Sequence, residues 1–200
     1  TEGEDYFVIE GNKYQVRDGA TNLTASNDRR SYLDVTKTVV SDADPAGMEF
    51  DFTMSVVNSN AASGTADDTG SDYYVWFSVF DTNAGATVTD PDLASATGIM
   101  YQLNDNSVVS TKPSEGFNGY FCVPSGASIS VKMQDGYSLR FLNLPTGSTY
   151  SIAESTTMPE EGVSFVSVTG TRTYKDENNN TKTEDAGTIS GQTISGAIEV

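Results

Sequence analysis

Two hundred residues with 36% hydrophobic content suit one ordinary domain, or one domain with an appendage, and argue against a disordered chain. Eleven Lys and Arg against 28 Asp and Glu leave a net charge of −17, which repels phosphate backbones and anionic lipid surfaces and excludes nucleic acid as a partner. The absence of His removes the commonest general base and metal ligand, and the single Cys122 can form neither an intramolecular disulfide nor a multi-thiolate zinc site.

Short segments rich in Val, Ile, Thr, Tyr and Phe recur between Gly, Asn, Asp and Ser clusters, the spacing of an all-β sandwich or barrel. No helical period is sustained. Tyr6–Glu10 and Lys13–Arg17, joined by Gly11-Asn12, predict a tight β-hairpin. A hairpin alone is marginal in water, so residues 1–31 are set apart as hairpin and polar linker, with the main domain over 32–200. Thr1 is not an initiator Met and residues 1–20 lack the order of a signal peptide, so the chain reads as an excised piece of something longer. No stretch reaches the roughly 20 apolar residues of a membrane span.

Within the main domain, strands are predicted at Tyr32–Val40, Glu49–Asn58, Tyr73–Phe80, Gly98–Leu103, Gly119–Val123 and Ser128–Met133. Further strands follow at Tyr137–Leu142, Tyr150–Glu154, Val163–Val168, Thr171–Lys175 and Gln192–Val200. Phe50, Phe52, Met54 and Val56 alternate with polar residues, as on a strand with one wet side. Ile129, Val131 and Met133 form one apolar row and Leu139 and Phe141 another; with Gln134-Asp135-Gly136 between them, Ser128–Leu142 reads as a hairpin, and Asn143–Gly147 as the turn after it. Ala61–Asp72 and Thr82–Thr97 read as long connections suited to binding contacts, the second with a short helical turn. The polar run Asp176–Asn180 predicts an exposed hairpin tip; its carboxylate spacing does not match a calcium loop. Glu160-Glu161 and Asp67-Asp68 read as solvated turns, and Trp76 as core.

Two charged residues stand at apolar positions. If Val35, Lys37 and Val39 share a strand face, Lys37 points into the core, and a buried ammonium requires a partner. Glu154, closing the strand Tyr150–Glu154, is the natural one.

Four segments carry a resemblance. They are Val35–Val39; Ile129–Leu139; the run Leu142-Asn143-Leu144-Pro145-Thr146-Gly147-Ser148-Thr149-Tyr150-Ser151-Ile152-Ala153-Glu154; and Gly187–Gly191. Together they resemble the collagen-adhesin B-type and pilin isopeptide-linkage domains of Gram-positive cell-surface proteins. The resemblance implies a Greek-key immunoglobulin-like β-sandwich over residues 32–200 and a domain that is not a turnover enzyme and carries no cofactor or metal. It implies that Lys37 attacks a side-chain amide, with Glu154 as proton shuttle, in one autocatalytic cross-link. The chemistry is coherent, because an apolar core favours the neutral, nucleophilic amine. The family's acceptor is an Asn at the end of the last strand; no Asn follows Asn180, so either that residue is expected beyond Val200 or the link is absent and Lys37–Glu154 is a buried ion pair.

By the same resemblance the chain is a module of a sortase-anchored, cell-wall adhesin that binds a host extracellular protein, immunoglobulin among the candidates. The alternative is a stalk or pilin-shaft domain between neighbouring domains. Some adhesins of such bacteria carry a Cys–Gln thioester, but that family's glutamine motif is not apparent at Gln102, Gln134 or Gln192, and Cys122 reads as a small buried hydrophobe.

Overall fold

A computed structural model describes residues 6–9, 12–15, 30–40, 45, 47–60, 74–93, 98–159, 162–175, 178 and 180–199. The protein is all-β, an immunoglobulin-like sandwich with a β-hairpin at its N-terminal end. In the hairpin, β1 (Tyr6–Ile9) pairs antiparallel with β2 (Asn12–Gln15), Ile9 opposite Asn12, so Asn12 belongs to the strand and not to the turn.

One layer is a five-stranded sheet. Its order is β10 (Ser128–Met133), β4 (Phe50–Val57), β12 (Thr149–Glu154), β16 (Thr193–Ala197) and β15 (Thr188–Ser190). The other layer orders β3 (Arg30–Thr36), β11 (Tyr137–Pro145), β5 (Tyr74–Asp81), β9 (Phe117–Pro124), β7 (Met100–Leu103) and β8 (Val108–Val109). A short β6 (Ala86–Thr87) folds back on β5. Outside both sheets, β13 (Thr171–Lys175) pairs with β14 (Thr181–Asp185), as the polar run between them predicts.

Alternation decides which side chains meet. On β4, Phe50, Phe52, Met54 and Val56 are buried while Asp51 and Thr53 are exposed. Across the sandwich, Val75, Phe77 and Val79 of β5 face them together with Phe121 and Phe141. Phe77 and Phe121 stack with ring centroids 5.3 Å apart.

Several expectations are corrected. β10 and β11 do not form a hairpin: β10 pairs with β4 and β11 with β3 and β5, so residues 134–136 carry the chain from one sheet to the other. Two fully buried rows can lie side by side or face each other across a core, and here they face. β11 also runs on to Pro145 through a bulge at Asn143, which takes φ 54°, so the turn lies after Pro145. Val163–Val168 joins no ladder; Val163 and Val168 pack on the core while Val166 is exposed. Residues 82–93 hold no helical turn and β6 returns along β5, while 94–97, the rest of that expected connection, lie outside the described residues. Trp76 is half-buried on the outer face of its sheet, because the core takes Val75, Phe77 and Val79 and leaves the even positions outside. The predicted connection Ala61–Asp72 and the pairs Glu160-Glu161 and Asp67-Asp68 lie outside the described residues.

Candidate functional site

Lys37 directly follows β3, and its backbone continues the ladder with β11. Its N–H donates to the Tyr137 carbonyl at 2.9 Å, and its own carbonyl accepts from Gly136 N–H at 3.0 Å. The strand alternation is therefore kept: Val35, Lys37 and Val39 turn inward, while Asp34, Thr36, Thr38 and Val40 are exposed. From this seat on one sheet the side chain crosses the core to the other.

There it meets Glu154, at the end of β12. The Nζ–Oε1 distance is 2.7 Å, and the two side chains keep only 12% and 9% of their exposure. Glu154 pairs across the ladder with Phe52, and the Lys37 ammonium lies 3.8 Å from the centre of the Phe50 ring, a cation–π contact in a nearly dry setting. The pair is thus an inter-sheet bridge, walled by Phe50 and Phe52. Its geometry permits direct proton transfer between Nζ and Oε1, the step that would convert a buried ammonium into a nucleophile.

The sequence-expected pair is therefore brought together. A third group was missed. β15 and β16 are joined by a two-residue turn, Gly191-Gln192, with Gly191 at φ 60° and Ser190 paired to Thr193. Gly at the first central position is what a tight turn of this hand requires. The β12–β16 register pairs Ile152 with Ile194 and Ala153 with Thr193, and the next step sets Glu154 beside Gln192, whose carbonyl accepts from Glu154 N–H at 3.2 Å. Gln192 Oε1 is the one buried side-chain polar atom without a hydrogen-bond partner among the described residues. Leaving such an oxygen bare costs about 1–3 kcal/mol, so it calls for an explanation. The sequence reading puts Gln192 at the head of the strand Gln192–Val200, whereas β16 begins at Thr193, and no local pattern marks Gln192 as a neighbour of Glu154.

Cys122 is fully buried, on the outer face of its sheet between Trp76 of β5 and Met100 of β7. Desolvation pushes its thiol up to about 12. A thiol kept protonated and covered is a poor nucleophile. In native protein at neutral pH, a thiol reagent is expected to leave Cys122 unlabelled over hours, and to label it within minutes in denaturant. Quantitative native labelling would contradict its burial.

Among the described residues no cluster of His, Cys, Asp and Glu could hold a metal ion, and no helix is long and apolar enough to cross a membrane. No protein-family model matches the chain, and no curated protein does. Among solved structures it is similar to a cysteine-to-alanine mutant of the pilus-presented adhesin Spy0125 (Cpa), at 16% identity and a TM-score of 0.29. That match covers 86% of this chain and 27% of the adhesin's, so the likeness is distant and the chain spans about a quarter of the adhesin's length.

Proposed function

We propose that this chain is a β-sandwich module of a cell-wall-anchored Gram-positive surface adhesin or pilus, whose task is to keep its shape while carrying other domains away from the cell. The observation that carries this reading is the Lys37–Glu154 pair, an amine and a carboxyl held 2.7 Å apart inside the sandwich and bridging its two sheets. The resemblance of residues 32–200 to isopeptide-linkage domains supplies the chemistry: Lys37 as nucleophile, Glu154 as proton shuttle and a side-chain amide as acceptor. A covalent bridge here would tie the first strand of the sandwich to a late one, so that tension could not peel them apart. Capture of a host extracellular protein, immunoglobulin included, would then fall to loops or to neighbouring modules.

The test is the intact mass of the parent protein taken from the cell surface. It is expected to be lower than the sequence mass by one ammonia, with Lys37 in a branched peptide after digestion, and Lys37→Arg should restore the full mass. A parent protein with the full mass and a free Lys37 amine would overturn the reading.

A further inference from the structure

The family pattern seeks its acceptor on an asparagine, yet the structure makes a different carboxamide residue, Gln192, the backbone neighbour of the Glu154 that Lys37 contacts. Gln192 is held by a two-residue turn and by the Glu154 N–H, and its amide oxygen is shut away from solvent with no donor. Gln192 is the neighbour of Glu154 at the end of the β12–β16 ladder, in the register that puts Ile152 and Ile194 in the core. A carboxylate offers an amide oxygen nothing to accept, whereas a carboxyl that has taken a proton offers an O–H, so a bare buried oxygen beside Glu154 in the ladder is placed to receive one.

We propose that Gln192 is the acceptor: Lys37 Nζ and Gln192 Cδ form an intramolecular isopeptide bond within this chain. The inference rests on the reading of Lys37 and Glu154 as a cross-linking pair and names that pair's acceptor. Glu154 takes a proton from the Lys37 ammonium across the 2.7 Å contact and turns its O–H to Gln192 Oε1, which polarises the amide carbon. The neutral amine attacks Cδ, and the Nζ–Cδ bond forms. Glu154 gives that proton to Nε2 and takes a second from the attacking Nζ, the Cδ–Nε2 bond breaks, and ammonia leaves with the second proton as ammonium. Nothing is oxidised or reduced, and no co-reactant is needed. Lys37 loses its charge as ammonia carries the extra proton away, and Glu154 is regenerated. Holding both reactants on fixed backbone makes the step effectively unimolecular.

The experiment is intact mass spectrometry of the folded 200-residue chain, followed by digestion. The wild type is expected to weigh one ammonia less than its sequence and to release a branched peptide joining Lys37 to Gln192. Lys37→Arg, Glu154→Ala and Gln192→Met should each restore the full mass; the last keeps side-chain size and should fold. A wild-type chain that keeps its full mass after prolonged incubation overturns the proposal, as does a loss that survives Gln192→Met. If the parent protein links Lys37 to another amide while this chain stays unlinked, the acceptor assignment fails and the cross-linking pair stands. If neither loses ammonia, both fail.

Discussion

In a Gln192→Ala background, where the turn amide is gone, replacing Glu154 by Ala is expected to destabilise the fold by about 3–5 kcal/mol. The loss comes from what is left behind. Lys37 is 12% exposed and sits over Phe50, so removal of its partner strands an ammonium in apolar surroundings. The cation–π contact offsets part of that cost, on the order of 1–2 kcal/mol, but cannot replace the carboxylate. Replacing both members, Lys37→Met with Glu154→Leu, should recover most of the loss, because two apolar side chains suit the space between Phe50, Phe52 and the facing sheet. Urea unfolding of the Gln192→Ala background and of the two variants built on it measures both differences. A single variant within about 1 kcal/mol of its background would mean that the pair is far better solvated than its burial implies. A double variant as unstable as the single would show that the site needs the charges themselves.

The same pair shows what a linear sequence discloses. Lys37 was legible because a charge at the third position of Val35-x-Lys37-x-Val39 violates the strand pattern, and Glu154 because it closes an alternating strand. Such violations point inward and so predict each other. The β4 row was legible for the converse reason, since Asp51, Thr53 and Ser55 between its apolar residues obey the rule. On β5 the outer row carries Tyr74, Trp76 and Phe80 around a single Ser78, with Trp76 between Leu142 and Cys122, so alternation says little about which face is core. Likewise, the buried rows of β10 and β11 specify that each faces a core, not that they share a sheet. Only long-range pairing, β10 with β4 and β11 with β3 and β5, separates the two arrangements. Gln192 was invisible because its position depends on the register of β12 against β16, which no local pattern encodes.

Phe77→Ala is expected to match or exceed the loss at the ion pair, at about 3–5 kcal/mol, because it removes the side chain through which the core's aromatic cluster is joined. The Phe77 ring stacks on Phe121 at 5.3 Å and meets Phe141 at 5.7 Å, and all three are essentially inaccessible. Phe121 in turn contacts Phe117 and Tyr101, so the cluster spans β11, β5, β9 and β7. Truncation would leave a void that three strands must collapse to fill, in addition to losing about 0.5–1.5 kcal/mol for each favourable ring pair. The midpoint of thermal unfolding should fall by roughly 10 °C for a chain of this size. Phe77→Leu, which keeps most of the volume but not the ring geometry, should cost less than half as much. In urea the two variants should share the wild-type slope and differ in midpoint, since the surface exposed on unfolding hardly changes. If Phe77→Ala lowered the slope as well, the sandwich would be losing its cooperativity, and the inter-sheet bridge would then be holding together two sheets that no longer pack as one.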